Sequence, residues 1–300
     1  MLSHGKLVTA LQFFTPIFQD YWHIIYPVNK NTDGFNYYLD NSKKATTYKG
    51  EFNSEGIYLF FGYDGKYHEH ALESAQYGLA CWEAYHQSKN NSWKIKALKQ
   101  CDWLVSNQSR SGAWFIEHKN SKYETLPSPW SSALAQGFAI SSLVRAYKYT
   151  KNDNYLQSAR IAFNYMNTDI AEGGLKRFID SGGYIYEEYP TESLNGVLNG
   201  YIFVLFSIMD LASVDESYEL VLQDNIKNLR TILPLFDAGF WSYYSLDGNI
   251  SSGFYHRLVI RQLEALIVAG YDFSTEVKIM NKQLRTPTYV CKAFLKKVLK

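Results

Sequence analysis

Cysteine is scarce in this sequence and forms no disulfide framework. The 300 residues contain three cysteines, Cys81, Cys101 and Cys291, in neither an even set nor a metal-binding spacing. This pattern excludes the disulfide scaffold of a small secreted domain and fits a reducing compartment. We expect Cys81 and Cys101 to be core residues.

The sequence also lacks an excess of charge and any long hydrophobic run. Thirty Lys and Arg residues against 29 Asp and Glu residues give a formal net charge of +1, which removes the general electrostatic argument for binding nucleic acid or a membrane surface. The longest apolar run, Tyr201 to Met209, is far below the roughly 20 residues of a bilayer span. Residues 1–20 contain one lysine and no small-residue cleavage site. We therefore predict no signal peptide, no membrane span and a cytoplasmic location.

Motifs for metals, nucleotides and serine nucleophiles are absent as well. The sequence contains no HExxH, CxxC, acidic calcium loop, GxSxG, Walker or dinucleotide motif. We therefore predict neither a metal nor another cofactor.

Aromatic residues, in contrast, make up 17% of the chain, with 25 Tyr, 18 Phe and 7 Trp. Rings that carry a polar tip suit a site for a flat, hydroxylated ligand. Composition alone does not name that ligand.

Three helix-like segments carry a glycine at the same place, which indicates an internal repeat. Gly78, Gly137 and Gly200 lie in AQYGLACWEAY, AQGFAISSLVRAY and LNGYIFVLFSIMDL. Each segment is followed by a polar break, a second amphipathic stretch and a cluster of glycine and aromatic residues. One unit therefore reads as helix, turn, helix and short hairpin.

The spacing of apolar residues predicts alternating inner and outer helices. Apolar positions from Trp130 to Tyr147 follow a helical period, with Pro129 suited to the start of that inner helix. Polar residues occupy one side of the outer-helix candidates, which are residues 92–108, 153–168 and 216–232. A fourth pair is predicted at residues 254–271 and 274–298. We predict a mainly α fold, an α/α toroid or incomplete barrel of about four helical hairpins, with short β-hairpins at one rim.

Residues 1–70 show no comparable helical period, only extended pieces such as Gly56 to Tyr63. We predict that they form an N-terminal extension packed on a toroid of residues 71–300. The alternation from Arg177 to Tyr186, around a central glycine pair, predicts one of the β-hairpins.

Two dense polar and aromatic clusters precede predicted inner helices, where an α/α toroid opens its central cavity. One runs from Tyr184 to Pro190, and the other combines Tyr243 and Tyr244 with residues 255–257. Adjacent Glu187 and Glu188 on a strand point to opposite faces, so at most one enters the cavity. On pattern alone, a hairpin with surface carboxylates and core tyrosines explains the first cluster equally well.

Several ordered motifs resemble the C-terminal catalytic domain of the D-glucuronyl C5-epimerases, and the resemblance spans about residues 71–265. The motifs are AQYGL (75–79), WSSALAQGFAISSLVRAY (130–147), YEEYPTESLNGVLNGYIF (186–203), LPLFDAG (233–239) and YHRLVIRQL (255–263). The resemblance implies conversion of D-glucuronate to L-iduronate in a heparan-type chain, by a compact member of bacterial type. A uronate-containing polysaccharide is thus the expected partner, and a homodimer is a further expectation.

Such an epimerase removes the proton at carbon-5, α to a carboxylate, and returns one to the opposite face, which requires two proton-transfer groups. The resemblance assigns this chemistry to Glu188, Tyr189, Tyr244 and Tyr255. We predict Glu188 with Tyr189 on one side and Tyr244 or Tyr255 on the other. A tyrosine serves either as a base, if cations lower its pKa from about 10, or as the acid beside a carboxylate base.

Donors or cations must also stabilise the second negative charge that develops on the substrate carboxylate. His256, Arg257 and Arg261 are the nearest candidates, although on a helix 257 and 261 share a face while 256 turns away. Further sugar contacts are predicted at Gln76, Tyr77, Trp130, Gln136, Tyr186 and Asn199. Core packing is the alternative role for Trp130, and a plain surface position is the alternative for Arg257.

Two departures from the animal members leave the polymer, its sulfation and the activity open. Asp247 stands where those members tend to have arginine, and Val259 stands near the position of a second histidine. The alternatives are a polysaccharide lyase that begins with the same proton abstraction, an α/α-barrel hydrolase, for which Glu188 has no evident carboxylate partner, and a non-catalytic glycan-binding protein.

Overall fold

The computed structural model describes residues 28–29, 34–62, 64–120, 123 and 125–298. Residues 1–20, for which we predict no signal peptide, lie outside this range. In chain order the helices and strands are α1 (Ser42–Thr47), β1 (Leu59–Phe61), β2 (Tyr67–Glu69), α2 (Ala71–Ser88), α3 (Asn91–Ser106), α4 (Ala133–Thr150), α5 (Asp153–Asn167), β3 (Lys176–Phe178), β4 (Tyr184–Tyr186), α6 (Leu198–Ala212), α7 (Glu219–Ile232), α8 (Gly253–Val268), α9 (Ser274–Arg285) and α10 (Pro287–Val298).

The helices form the predicted α/α arrangement. The inner helices α2, α4, α6 and α8 pack in succession, and each contacts the outer helix that follows it in the chain. The inner helix α6 is buried along nearly its whole length, whereas the outer helix α7 buries one face, which includes Leu222, Ile226 and Leu229. This contrast follows the apolar periodicity of the two segments. Four helical hairpins thus build the toroid.

The prediction of one continuous helix over residues 274–298 is wrong, because the segment forms two helices that are separated at Thr286. Thr286 is extended, with φ −96° and ψ 105°, and it separates α9 from α10. Proline disfavours helical geometry in the residue before it and lacks the N–H that a helix interior needs, so Pro287 begins a new helix.

The repeated glycines mark close approaches of the inner helices. A Cβ on Gly137 would lie 3.2 Å from the Val204 Cα of α6, and a Cβ on Gly78 would lie 2.8 Å from the Ser142 Oγ of α4. A Cβ on Gly200 would lie 2.6 Å from the Glu188 Oε2. Gly78 and Gly137 therefore allow neighbouring inner helices to pack closely. Gly200, at the same position of the repeat, makes room for the Glu188 side chain.

The predicted rim hairpins are only partly regular. β3 and β4 pair antiparallel, with Arg177 opposite Ile185, as the alternation indicates. After α3, by contrast, the described chain forms a single bridge between Ile116 and Trp130. Pro127 and Pro129 lie just before or within this return segment, and proline cannot donate to a strand ladder.

The described part of the N-terminal extension packs against the toroid through buried polar contacts. Lys44 of α1 contacts Glu73 and Gln76 of α2, with 2.8 Å from Nζ to each oxygen. Arg145 of α4 donates to the carbonyls of Phe35 and Asn36. Cys81 and Cys101 are buried, as expected. Within the described residues, no helix has both the length and the apolar character needed to cross a bilayer.

Candidate active site

A cavity of about 310 Å³ lies where the rim segments meet the starts of inner helices. Its wall combines residues of β1, α2, the segment before α4, the segment after β4, α6 and α8. Six of the predicted site residues line it, namely Gln76, Trp130, Glu188, Tyr189, Asn199 and Tyr255. The cavity therefore brings together groups that are far apart in the sequence.

Glu187 and Glu188 turn to different surroundings, as strand alternation predicts. Glu187 accepts hydrogen bonds from the backbone N–H groups of Asn195 and Gly196 and lies 2.9 Å from the Arg177 Nε. Glu188 is also buried, but it lines the cavity. Glu187 thus holds the segment that leads to α6, and Glu188 places a carboxylate on the cavity wall.

The backbone fixes the position of Glu188 from two directions. The Glu187 N–H donates to the Leu175 carbonyl, and the Glu187 carbonyl accepts from the Ala133 N–H at the start of α4. Gly200 supplies the space beside the Glu188 side chain. Because hydrogen bonds hold the chain on both sides of Glu187, the next residue has little freedom to leave the cavity wall.

Tyr244 and Tyr255 form a second group of phenols. Their rings make an edge-to-face contact with centroids 4.7 Å apart. The Tyr255 N–H donates to the Ser252 side chain that caps α8, and the Tyr244 backbone bonds to Leu198 and Asn249. Tyr255 lines the cavity, whereas Tyr244 is buried and is not among the residues that line it.

Tyr189 contacts two further aromatic rings, those of Tyr123 and Trp130. Its ring lies 4.6 Å from that of Tyr123 and 5.9 Å from that of Trp130, measured between centroids. The Trp130 indole N–H donates to the His118 carbonyl. Trp130 packs in a small apolar cluster and also lines the cavity, so its role as a sugar contact stays a prediction.

The environment keeps the buried phenols protonated. Burial raises the pKa of Tyr189 well above its usual value, and the negative charge of Glu188 raises it further. Burial likewise raises the pKa of Tyr244, followed by the charges of Glu188 and Tyr255. Of the two roles open to tyrosine, this favours the proton donor and leaves the base to a carboxylate.

Lys44 orients the side chain of Gln76, which lines the cavity. No sequence pattern links these two residues. Its ammonium donates to the Gln76 Oε1 and pairs with Glu73, and all three side chains are buried. Because the amide oxygen of Gln76 is engaged, its NH₂ end remains to donate to a ligand. The helical spacing of Glu73 and Gln76 places them on one face, but no sequence signal points to Lys44.

His70 and His118 also line the cavity and were missed, because neither belongs to a recognisable motif. Their rings lie 5.6 Å apart. The His70 Nδ1 accepts from the Leu72 N–H, so in the neutral ring Nε2 holds the proton. Burial, followed by the charges of His118 and Lys44, lowers the pKa of His70 to about 3. His70 is therefore a neutral donor.

Three predicted contacts lie in the core instead of the cavity wall. Tyr77 packs against Tyr58. Gln136 donates to the Gly112 carbonyl and accepts from the Trp114 N–H. Tyr186 stacks on Tyr201 and donates to Asn167. Helical and strand periodicity points these side chains inward, where packing and internal hydrogen bonds occupy them.

The basic residues near Tyr255 do not lie where they could stabilise a substrate carboxylate in the cavity. His256 is buried, stacks on Trp241 and contacts the Met280 carbonyl through Nε2. Arg257 is half-buried and donates to the Gly253 carbonyl, and exposed Arg261 pairs with Glu264. None of the three lines the described cavity.

The two departures from the animal pattern have structural roles here. Asp247 accepts hydrogen bonds from Ser245 and Asn249, and so closes the turn that follows Tyr244. It also lies 3.4 Å from the Asn195 amide nitrogen. Val259 is buried on α8. In the described part of the chain, no group of His, Cys, Asp and Glu could hold a metal ion.

Residues 107–283, more than half of the chain, match the family model described as the D-glucuronyl C5-epimerase C-terminus. The chain belongs to this family. The matched range contains Glu188, Tyr189, Tyr244 and Tyr255, but it excludes the cavity residues of α2. The family match thus covers the segments that carry the phenol cluster.

Two curated relatives align with part of the chain. The chain is 35% identical over 163 residues to the D-glucuronyl C5-epimerase of Caenorhabditis elegans, across 48% of this chain and 26% of that protein. It is 31% identical over 134 residues to an uncharacterised protein of Methanocaldococcus jannaschii, across 43% and 44% of the two chains. The matches therefore span less than half the length of these relatives.

Solved structures show the fold alone. A family 76 glycoside hydrolase of Bacteroides thetaiotaomicron superposes with a TM-score of 0.55 at 13% identity, across 77% of this chain and 50% of that one. A polysaccharide lyase gives 0.51 at 11% identity, across 98% and 88%. Both support an α/α toroid for this epimerase-family chain.

Proposed function

We propose that this protein inverts carbon-5 of D-glucuronate residues in a polysaccharide, giving L-iduronate by proton transfer on the two faces of the ring. The observation that supports this most directly is the meeting of Glu188 with phenols from another rim segment. Glu188, Tyr189 and Tyr255 line the same cavity, and the ring of Tyr244 lies 4.7 Å from that of Tyr255. Membership of the epimerase family supports the same chemistry.

In the proposed reaction, the Glu188 carboxylate takes the proton from carbon-5. The electron pair of the broken C–H bond moves into the substrate carboxylate and gives an enolate-like intermediate. The Tyr255 phenol then gives its proton to the opposite face of carbon-5, and the proton on Glu188 returns to the tyrosinate through Tyr189 or water. Burial raises the pKa of Tyr189 and Tyr244 well above the usual value, so these two neighbouring phenols stay protonated and support a carboxylate as the base.

The negative charge on the intermediate requires donors that are already in place. We assign this role to the Gln76 amide, which Lys44 orients and polarises, with the Asn199 side chain as a second group on the cavity wall. Each such donor contributes roughly 3 kcal/mol to transition-state stabilisation in comparable sites.

The decisive measurement is deuterium incorporation at carbon-5 in heavy water, with an unsulfated glucuronate polymer and a panel of other uronate polymers. We expect exchange by the native chain and a loss of about a hundredfold or more in Glu188→Gln. Glu219→Gln, an exposed change on α7, is the matched control and is expected to retain exchange. Absence of exchange across the panel would reject the proposal. New ultraviolet absorbance from an unsaturated uronate would assign a lyase instead.

A further inference from the structure

The balanced charge of the chain is distributed unevenly along the sequence. Residues 274–300 contain seven Lys and Arg residues and a single acidic residue, Glu276. Since the whole chain has 30 basic and 29 acidic residues, the remainder carries an excess of negative charge. The positive excess falls on α9 and α10, which Thr286 separates. A net charge near zero therefore conceals a strongly basic pair of helices.

The cations of α9 share one exposed face of the helix. Lys278, Lys282 and Arg285 follow helical spacing, and they line a depression of about 410 Å³. None of the described residues that line this depression is acidic. Ile279 has an exposed fraction of 45% and lies between the cations and Glu276 around the helix. The face of α9 thus presents three cations and borders an exposed aliphatic side chain.

The exposed face of α10 has a similar composition. Lys292 and Lys296 are exposed and lie one helical turn apart. Leu295 lies on the same face as Lys292 and has an exposed fraction of 51%. We call the exposed side chains of the two helices the basic face, which consists of Lys278, Ile279, Lys282, Arg285, Lys292, Leu295 and Lys296.

α10 is packed on the body of the protein and is not a free tail. Its buried residues Val290 and Ala293 belong to an apolar cluster with Trp241. The Lys292 ammonium lies 4.3 Å from the centre of the Phe240 ring. The cations of α10 are therefore held on a fixed helix.

Acidic side chains do not neutralise these cations at close range. Within the described residues, none of the five cations of the basic face forms an ion pair. Lys278 acts electrostatically on Asp272, which precedes α9, without forming such a pair. The basic face can thus attract an external anion without first breaking an internal ion pair.

A layer of anionic lipid headgroups matches both features of the basic face. Each Lys or Arg near such a layer gains from its negative surface potential, and aliphatic side chains beside the cations enter the boundary between headgroups and acyl chains. A soluble acidic glycan would pair with the cations but would leave Ile279 and Leu295 in water. The combination of charges with exposed aliphatic groups therefore favours a lipid surface.

We propose that the basic face binds the surface of a membrane that contains anionic phospholipids. The ammonium and guanidinium groups contact the headgroup phosphates, and Leu295 enters the boundary with the acyl chains. This attachment is peripheral and needs no membrane-spanning helix. No residue of the basic face lines the candidate active site, so the proposal does not depend on the proposed function.

The test is co-sedimentation of the full chain with two kinds of vesicle, one of phosphatidylcholine alone and one of equal parts phosphatidylglycerol and phosphatidylcholine. We expect binding to the anionic vesicles only, and weaker binding as the salt concentration rises. Lys278→Gln combined with Lys282→Gln is expected to reduce the affinity about tenfold or more, because each cation contributes roughly fivefold. Binding that is equal on both vesicles, or absent from the anionic ones, would overturn the proposal.

A second variant tests the joint role of charge and aliphatic contact on α10. Lys292→Gln combined with Leu295→Ser is expected to lose about tenfold in affinity. The matched control is Lys96→Gln combined with Ile95→Ser on α3, where Lys96 is exposed and Ile95 has an exposed fraction of 57%. This control is expected to bind as the native chain does, and thermal unfolding checks that all variants remain folded. Equal losses in the control and in the α10 variant would reject the basic face.

A competition experiment separates lipid from glycan. Vesicle binding is measured with Leu295→Ser alone, which keeps the net charge, and with a soluble glucuronate polymer added to the native chain. We expect Leu295→Ser to weaken vesicle binding about three- to fivefold, and the polymer to displace little of the bound protein. Full displacement by the polymer together with no effect of Leu295→Ser would assign the face to an acidic glycan and overturn the lipid proposal.

Discussion

At the residue scale, Glu187 and Glu188 illustrate how two identical side chains acquire different tasks. Strand alternation is enough to predict that they diverge. The partners of Glu187 could not be predicted, because the Asn195 and Gly196 N–H groups reach it through a turn. Burial raises the pKa of Glu187, although those N–H groups and Arg177 oppose the effect. The hydrogen-bond partners of each carboxylate therefore depend on the tertiary structure and not on the local sequence.

Gly200 provides a residue-scale test of the Glu188 position. In Gly200→Ala the new methyl group would lie 2.6 Å from the Glu188 Oε2, and the flexible carboxylate is expected to move away. We predict at least a tenfold loss of carbon-5 exchange, with little loss of stability because alanine favours a helix by about 1 kcal/mol relative to glycine. Thermal unfolding and exchange rates measure the two effects.

Gly137→Ala is the contrasting change, because its methyl group would meet the α6 backbone at Val204, 3.2 Å away. A backbone cannot move as a side-chain end can, so this variant is expected to lose about 1–3 kcal/mol of stability. Retention of full exchange by Gly200→Ala would show that Glu188 has more room than its surroundings indicate.

At the element scale, the helices were predictable and the rim was less so. A period of three to four residues determines which face of α4 or α6 is buried, and this information is local. The rim segments depend on non-local pairing, and Pro127 and Pro129 prevent a regular hairpin where the repeat predicted one. Packing of residues 1–70 on the toroid was predicted, but the helix α1 and the contacts of Lys44 with α2 were not, since Lys44 shows no periodic pattern with its partners.

The Lys44–Glu73 pair allows a test of this contact between elements. Lys44→Met would leave the buried Glu73 carboxylate without its cation, and we expect a loss of about 3–5 kcal/mol in the free energy of unfolding. Burial already raises the pKa of Glu73 despite Lys44, so the variant should hold a protonated Glu73. Denaturant unfolding measures the change.

Lys44→Met combined with Glu73→Gln removes both charges and is expected to regain most of that stability. Stability of the single variant equal to that of the native chain would mean that α1 is not firmly packed on α2.

At the scale of the whole molecule, the site is an assembly of separate segments, which limits what sequence can predict. Family resemblance supplied the four residues of the phenol and carboxylate cluster. It did not supply His70 or His118. The further sugar contacts, which were predicted apart from the resemblance, included Tyr77, Gln136 and Tyr186, which lie in the core. Spacing identifies the inner helices but does not reveal which side chains at their ends reach the shared cavity.

Buried histidines predict acid sensitivity of the whole fold. Burial lowers the pKa of His256, and separately that of His70, to about 3, whereas an unfolded histidine titrates near 6.5. Their stabilising contribution is therefore complete above about pH 6.5 and decreases as the pH falls towards 3, by up to about 5 kcal/mol for each. Chemical unfolding between pH 7 and 4 measures this slope.

A His256→Gln variant should be less stable at neutral pH and show a shallower acid dependence. An unchanged slope would assign the acid sensitivity to other groups.

Buried tyrosines predict that the fold also loses stability at high pH. Burial raises the pKa of Tyr38, Tyr201 and Tyr244 well above the usual value of about 10. Their contribution is complete below about pH 10 and is lost as the pH rises beyond it. We expect tyrosinate absorbance from these residues to appear together with unfolding, and early absorbance from a fully folded protein would contradict this expectation.

The pairing of β3 with β4 has a consequence for the fidelity of the site. Lys176 lies opposite Tyr186, and the two glutamates follow directly. A slip of one residue would exchange the environments of Glu187 and Glu188, since neighbouring positions face opposite ways. A residue deleted from or inserted into the hairpin would therefore change the cavity wall without lining the cavity itself. The length of this hairpin thus determines which glutamate lines the cavity, and loop grafts in this fold should preserve it residue for residue.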